Sequence, residues 1–191
     1  MARRIVQVRG TTGSGKTTAM RKAIELAGGG VTKPMMGNGT RRHVTVTPQF
    51  TVMGDYNNPS ACVGCDRFDN RTDLLHVLHN TIKSGAERIA FEGMIYSHTY
   101  KLATDIARMA RHGGYEYSCV FLNVDFETAL TRIFERNGGK PINYDTLAEK
   151  VLMFATAREK IRAAGIRCVD VAADTLDADE VGSIVYQEIM R

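Results

Sequence analysis

The sequence contains no run of apolar residues near the ~20 that a membrane-spanning helix needs, so we expect no membrane anchor. The apolar stretch that follows Arg3 and Arg4 is too short and too interrupted to be the core of a secretory leader. Only four cysteines occur in 191 residues, and without a leader they indicate reduced thiols rather than a disulfide framework. These shortages together predict a cytoplasmic protein.

The composition is that of an ordinary globular protein, with 43% hydrophobic and 24% charged residues. A chain of 191 residues is long enough to bury a substantial core, and we expect residues 1–191 to form a single domain. The formal net charge of +4 suits a polyanionic partner. A triphosphate site would also favour basic residues, so the charge does not separate nucleotide binding from nucleic-acid binding.

Short β-type runs alternate with helical patterns along the chain. This order predicts an α/β protein with a five-stranded parallel sheet and helices on both faces. We interpret residues 31–42, which are rich in glycine and basic side chains, as a mobile loop. In such sheets ligands bind beyond the carboxyl ends of the strands. We therefore expect residues 10–18, a polar loop at about 54–71, Glu92 and the residues after 124 to meet at one edge.

The clearest motif is Gly10-Thr11-Thr12-Gly13-Ser14-Gly15-Lys16-Thr17-Thr18, which lies between a strand-like run and a helical pattern. The glycines let the backbone curl so that its N–H groups face oxyanions, and the new helix adds its positive end. The lysine can reach the β- and γ-phosphates, and the hydroxyl of Thr17 is placed to ligate Mg²⁺. The motif predicts a nucleoside triphosphate site formed by Thr12, Gly13, Ser14, Gly15, Lys16, Thr17 and Thr18.

Phosphoryl transfer also needs carboxylates near the metal and near the acceptor hydroxyl. Glu92 ends a predicted strand immediately before Gly93, and there it could hold the metal through water, orient the acceptor or act as a base. In the polar loop we favour Asp66 over Asp55 as the residue that orients the attacking hydroxyl, because its glycine and cysteine neighbours allow tight packing. A solvated strand-end glutamate and ordinary loop aspartates are the alternative interpretations.

Arg132 and Arg136 are four residues apart on a predicted helix, so they share a face. Gly138-Gly139-Lys140 follows directly. A helix with two arginines before a glycine hinge is typical of a lid that closes over a transferring phosphoryl group, and we assign this lid to residues 132–143, approximately. A solvated basic face is the alternative.

Four residues have a spacing that resembles a zinc site: Cys62, Cys65, His76 and His79. The two histidines would share a helix face, and the two thiolates would lie in the preceding loop. The ten residues between the pairs do not match a zinc finger. Cysteines in a tight loop and histidines on a helix surface explain the pattern equally well.

Taken together, the motifs resemble those of the P-loop nucleoside monophosphate kinases, most closely the thymidylate-kinase-like group. In that family the third strand ends in an acidic residue, with a serine and a tyrosine soon after it. Phe91-Glu92-Gly93-Met94-Ile95-Tyr96-Ser97 and Tyr100 fall at similar spacing. The family's usual Asp-Arg pair is replaced by Glu92-Gly93, and its loop for the 5′-phosphate of a free nucleotide is not recognisable. The resemblance implies a P-loop kinase fold, and the departures argue against a free nucleotide as the acceptor.

A narrower resemblance covers nearly the whole chain. Gly54-Asp55-Tyr56, Cys62-Val63-Gly64-Cys65-Asp66, Phe91-Glu92-Gly93 and the arginine-glycine run at 132–141 are similar to a bacteriophage branch that includes 5-hydroxymethyluracil DNA kinases. Such enzymes phosphorylate the hydroxymethyl group of a base within viral DNA, a step toward hypermodified thymidines that resist host nucleases. The resemblance implies ATP and Mg²⁺ as cofactors and DNA containing 5-hydroxymethyluracil as the partner.

We therefore predict an ATP- and Mg²⁺-dependent kinase that acts on a hydroxymethyl group of a DNA base. Thr17 and Glu92 would place the metal. Reaching a base inside a duplex requires base flipping, so we expect a wide basic mouth, and Tyr56 or Phe68 could stack on the extruded base. The alternatives are a kinase of free deoxynucleoside monophosphates, a nucleotide-dependent switch without phosphotransfer, and a zinc-stabilised nucleic-acid-binding module.

Overall fold

The computed structural model describes residues 2–58 and 63–191. Within these residues seven strands form one sheet in the order β2-β3-β4-β5-β1-β6-β7. The pairs β4–β5, β5–β1, β1–β6 and β6–β7 are parallel, and β2–β3 and β3–β4 are antiparallel. The strands are β1 (Arg3–Gly10), β2 (Val31–Met36), β3 (Arg41–Val46), β4 (Thr51–Met53), β5 (Arg88–Glu92), β6 (Tyr115–Asn123) and β7 (Arg167–Ala172).

The helices alternate with the parallel strands, as the sequence predicts. They are α1 (Lys16–Leu26), α2 (Arg71–Lys83), the short α3 (Met94–Ser97), α4 (Tyr100–Gly113), α5 (Phe126–Arg136), α6 (Tyr144–Ala163) and α7 (Ala178–Met190). A 3-10 turn, Gly64–Arg67, precedes α2. None of the helices in the described residues combines the length and the apolar character that a bilayer crossing requires.

Different helices cover the two faces of the sheet. On one face Val6 and Val120 lie in a fully buried cluster with side chains of α1 and α7. On the other face Ile5 and Phe91 pack against α2 and α4, and Phe121 packs against α6. The central strands are thus buried on both sides, which is the expected state of a parallel sheet.

The expectation of five strands is wrong, because the sheet has seven in the described residues. The five parallel strands are β4, β5, β1, β6 and β7, and the antiparallel pair β2–β3 extends the sheet at one edge. Residues 31–42, which we expected to be a mobile loop, instead form β2, a tight turn and the start of β3. Pro34 is tolerated in β2 because an edge strand does not need every backbone N–H for pairing.

The five parallel strands place their carboxyl ends at one edge of the sheet. The residues at these ends are Gly10, Met53, Glu92, Asn123 and Ala172. The chain segments that leave this edge are the glycine-rich turn, the polar loop, α3 and the N-terminus of α5. The fold therefore brings together the segments that carry most of the candidate residues.

Candidate active site

The glycine-rich turn links β1 to α1 and packs closely against α5 at Gly13. Gly13 and Gly15 have φ angles of 82° and 85°, in the left-handed region that glycine adopts without strain. A Cβ on Gly13 would lie 2.7 Å from the carbonyl oxygen of Ala129 in α5. The turn is therefore packed against α5, and α1 begins directly after it with its positive end toward the carboxyl edge.

Lys16 is folded back over this turn. Its side chain is 7% exposed, and Nζ donates hydrogen bonds to the carbonyl oxygens of Gly10, at 3.0 Å, and Thr11, at 2.8 Å. Burial lowers the pKa of Lys16, and the negative charges of Glu92 and Asp66 oppose this shift. The ammonium group thus lies within electrostatic reach of both predicted carboxylates.

Glu92 connects three segments of the chain. It is 1% exposed, and its Oε1 accepts hydrogen bonds from the Thr17 hydroxyl at 3.0 Å and the Tyr56 hydroxyl at 3.1 Å. Its Oε2 is buried and has no hydrogen-bond partner among the described residues. Burial raises the pKa of Glu92, while Lys16 and the two hydroxyl groups lower it. A hydroxyl and a carboxylate with a spare oxygen are hard ligands of the kind Mg²⁺ prefers, so this pair fits such an ion.

Asp66 lies beside Glu92. It is half-buried on the 3-10 turn, and its Oδ1 would be 3.3 Å from a Cβ on Gly93. Gly64, with φ of 69°, allows the 3-10 turn to lie against Glu92. A Cβ at this position would lie 2.6 Å from Oε1 of Glu92 and would push the turn away. The charge of Asp66 raises the pKa of Glu92. The structure therefore groups Asp66 with Lys16, Thr17 and Glu92.

Asp55 is placed differently. Its Oδ1 accepts a hydrogen bond of 2.7 Å from the hydroxyl of Thr32 in β2. It is not among the charges that shift the pKa of Lys16 or Glu92. The structure brings Asp66, and not Asp55, to the group at the carboxyl edge.

The two arginines of α5 lie on the other side of the turn. Arg132 donates to the carbonyl oxygens of Gly13, at 3.4 Å, and Ala173, at 3.0 Å. Arg136 is exposed, and its positive charge contributes to lowering the pKa of Lys16. Arg132 also lines a cavity of about 240 Å³, together with Ser14, Gly15, Thr18, Ala173 and Leu176. This cavity adjoins the turn, and its lining combines apolar side chains with the cation of Arg132 and the carboxylate of Asp177.

The sequence reasoning missed a buried network that joins the turn to α3. Arg9 is fully buried and donates to the carbonyl oxygens of Ser97 and Thr99 and to Oε1 of Gln7. The Ser97 hydroxyl accepts from the Gly10 N–H at 3.2 Å and donates to the Gly93 carbonyl at 2.8 Å. Two polar residues at alternate positions of an apolar strand, Gln7 and Arg9, are the signal that could have indicated it.

A second missed residue is Asp73, which joins the β2–β3 hairpin to α2. It is 2% exposed and accepts hydrogen bonds from Arg42 Nε at 2.6 Å and from the Asn38 N–H at 2.9 Å. Arg42 also donates to the carbonyl oxygen of Arg67, next to Asp66, at 3.1 Å. This contact couples the hairpin to the turn that carries Asp66.

Two further expectations concern aromatic residues and zinc. Tyr56 is 7% exposed and Phe68 is 4% exposed, so neither offers a ring for a base to stack on, and Tyr56 instead contacts Glu92. Cys62 lies outside the described residues. Cys65 is buried, whereas His76 and His79 are exposed on α2. In the described ranges no three histidine, cysteine or acidic side chains are grouped so that they could hold a metal ion.

Comparisons with known proteins identify the family to which the chain belongs. The family model for 5-hmdU DNA kinase matches residues 2–177. The chain belongs to the 5-hmdU DNA kinase family. It is 30% identical over 175 residues to a 5-hmdU DNA kinase of Pseudomonas phage M6, covering 89% of this chain and 91% of that protein. It is 26% identical over 183 residues to a 5-hmdU DNA kinase of Pseudomonas phage PaMx11, covering 90% and 92%.

Membership in the 5-hmdU DNA kinase family makes this chain a phosphotransferase, as the sequence predicted. A kinase takes its phosphoryl group from a nucleotide, and the resemblance to bacteriophage enzymes is confirmed by both relatives.

Proposed function

We propose that this protein transfers the γ-phosphoryl group of ATP to the hydroxymethyl group of 5-hydroxymethyluracil in phage DNA. The observation that carries the proposal is the grouping of Lys16, Thr17, Glu92 and Asp66 at the carboxyl edge of the sheet. Family membership supports DNA as the acceptor. Phosphate is a better leaving group than hydroxide, so phosphorylation of the hydroxymethyl oxygen would prepare the base for hypermodification.

We infer that residues 1–191 act as one P-loop kinase domain inside the host cell, with ATP bound at the glycine-rich turn. Residues 12–18 would surround the phosphates, and the Lys16 ammonium would exchange the Gly10 and Thr11 carbonyl oxygens for oxygens of the β- and γ-phosphates. The adjoining cavity at Arg132 and Leu176 would take the nucleotide base, since its apolar walls suit a flat ring.

Thr17 and Glu92 would hold Mg²⁺, which when bound neutralises charge on the phosphates. Asp66 would orient the hydroxymethyl group and accept its proton. The hydroxymethyl oxygen attacks the γ-phosphorus and forms a new O–P bond, while the bond from that phosphorus to the β,γ-bridging oxygen breaks and ADP leaves. Residues 132–143 would act as a lid, in which Arg132 and Arg136 stabilise charge on the transferring group.

An acceptor competition tests the proposal. ATP labelled on its γ-phosphate is offered with DNA that contains 5-hydroxymethyluracil, with the same DNA containing thymine, and with free hydroxymethyl-deoxyuridine monophosphate and thymidine monophosphate. Label is expected only in the hydroxymethyluracil DNA, because the thymine methyl group offers no nucleophile. Label confined to free nucleotides would show a nucleotide kinase instead, and hydrolysis without any labelled acceptor would show a switch.

The Lys16→Ala variant serves as the inactive reference in this assay. Removing one preorganised donor to transition-state charge typically reduces kcat on the order of 10²–10³-fold, so label should nearly vanish while the circular dichroism spectrum stays unchanged. Lys22→Ala is the matched control, because Lys22 lies on the same helix but contacts Glu25 and Asp179 at the surface. Comparable activity of the two variants would show that the site is misplaced.

A further inference from the structure

The β2–β3 hairpin extends past the carboxyl edge of the sheet. Val44 pairs with Met53, the last residue of β4, and β3 begins three residues earlier at Arg41. At a rise of about 3.3 Å per residue, the start of β3 stands about 10 Å beyond that edge. The hairpin is coupled through Arg42 to the turn that carries Asp66, so it forms a wall on the acceptor side of the site.

One face of this hairpin is continuous with the site. Alternate residues of a strand share a face, so Thr45, His43 and Arg41 of β3 lie together, opposite Thr32, Pro34 and Met36 of β2. The Thr45 hydroxyl accepts a hydrogen bond from the Tyr56 N–H at 3.1 Å, and the Tyr56 side chain contacts Glu92. The face therefore leads outward from the candidate metal ligands.

The outer part of this face is open, and we name it the hairpin face: Pro34, Met36, Arg41 and His43. All four residues are exposed, and none is acidic. In the part of the chain that the structure describes, Arg41 forms no ion pair. The opposite face is covered, because Met35, Val44 and Val46 pack into the cluster of α2.

The hairpin is held in place before any partner binds. Asp73 fixes its tip through Arg42 and the Asn38 N–H, and the Asn80 side chain donates to the Met36 carbonyl at 2.8 Å. Pro34 removes an N–H from the edge strand, which disfavours pairing of another strand along β2. A partner would therefore meet the face of the hairpin rather than its edge.

We propose that the hairpin face binds the single DNA strand that flanks the target nucleotide, an inference that rests on the proposed function. Lys16 and Glu92 are almost fully buried, so the target base must leave its stack to reach them. A single strand, whose bases are already unpaired, presents the base at the lowest energetic cost. Arg41 neutralises a phosphate, His43 donates to a phosphate oxygen, and Met36 and Pro34 contact a base or sugar. Proteins hold single-stranded nucleic acid with cations that follow its backbone and with side chains that pack on its bases. On this face Arg41 supplies the cation, and Met36 and Pro34 supply the packing contacts.

The test measures binding of a fluorescent single-stranded oligonucleotide with a central 5-hydroxymethyluracil. Arg41→Ala is expected to raise the Kd about tenfold and to reduce the slope of log K against log salt by about one, since one phosphate contact is lost. Lys33→Ala is the matched control. It removes the same charge from the same hairpin, but Lys33 lies on the opposite face, which it shares with buried Val44. The Kd of this variant should stay within twofold of the wild-type value.

Shortening the oligonucleotide to the target and its immediate neighbours should abolish the difference between Arg41→Ala and wild type. Equal Kd values for Arg41→Ala and Lys33→Ala on the long oligonucleotide would overturn the inference. A dimer in light scattering that Arg41→Ala dissociates would also overturn it, because a second copy would then occupy the face. Since the Kd needs no phosphoryl transfer, a protein that binds DNA through Arg41 but labels no DNA would refute the proposed function alone.

Discussion

Burial has the largest effect on the pKa of Glu92 and raises it, the charge of Lys16 opposes this shift, and the hydroxyl groups of Thr17 and Tyr56 lower the pKa further. Glu92 is buried, which raises its pKa above the usual range of glutamate, and the two hydrogen bonds counteract this by stabilising the anion. Only the carboxylate form can hold a divalent cation. Activity should therefore fall as the pH decreases through the raised pKa of Glu92, at a higher pH than an exposed glutamate would impose.

The Tyr56→Phe variant tests this assignment. It removes one hydrogen bond to the Glu92 carboxylate and leaves the ring in place, so the pKa of Glu92 should rise further. A hydrogen bond to a charged group contributes about 1.5–3 kcal/mol, and one pKa unit corresponds to about 1.4 kcal/mol. We expect the acid limb of kcat/KM to move upward by about one pH unit. An unchanged acid limb in Tyr56→Phe would show that another group controls it.

At the scale of secondary structure, the contact between Asp73 and Arg42 joins the hairpin, α2 and the Asp66 turn. The Asp73 side chain is 2% exposed and that of Arg42 is 13% exposed, so water screens this ion pair poorly. Removing Asp73 or Arg42 leaves the remaining buried charge with less opposite charge beside it, which destabilises the folded state. Asp73 is therefore the most deeply buried charged contact among those that hold the elements on the acceptor side.

The Asp73→Ala variant should destabilise the protein by about 3–5 kcal/mol, the usual effect of breaking a buried ion pair. Urea denaturation measures this difference. Asp69→Ala is the control, because Asp69 contacts the same arginine but its side chain is 65% exposed, and an exposed pair contributes below about 1 kcal/mol. Equal losses in the two variants would contradict the role of Asp73.

Helix starts were predictable from the sequence because their signals are local. Asn70, Asp125 and Asp177 each accept a hydrogen bond from a backbone N–H of the helix that follows. The β2 strand was not predictable in this way. It contains Lys33 and Pro34, and its extended state depends on pairing with β3 and on contacts with α2, which no local pattern encodes.

The same distinction applies to the candidate site. Lys16 and Thr17 belong to one contiguous motif, so their position beside the glycine-rich turn could be predicted from the sequence. The contacts of Tyr56 with Glu92 and of Arg9 with Ser97 join residues 36 and 88 positions apart. Such contacts depend on strand order and on the packing of loops, and spacing along the chain does not reveal them.

At the scale of the whole molecule, stability and activity should depend differently on metal ions. The core is formed by apolar clusters on both faces of the sheet, and within the described residues no side chains are grouped as a structural metal site. We therefore expect stability to derive from packing, and we expect the pair Thr17–Glu92 to hold the ion of the proposed reaction.

Excess EDTA should abolish phosphoryl transfer and leave the thermal unfolding midpoint unchanged. Adding Mg²⁺ in excess of the chelator should restore transfer, because the cation neutralises phosphate charge during the reaction. Calorimetry with and without EDTA measures the stability, and metal analysis of the purified protein serves as the control. A clear fall of the midpoint in EDTA, with bound zinc in the untreated sample, would favour a zinc-stabilised domain.

Arg9 has a consequence for the molecule as a whole. Arginine keeps its charge at any working pH, and the hydrogen bonds of Arg9 go to neutral oxygens of Gln7, Ser97 and Thr99. Buried charges are screened little by salt. A dehydrated guanidinium thus maintains a positive potential beneath the glycine-rich turn, and under the proposed function this potential would favour the binding of anionic phosphate groups.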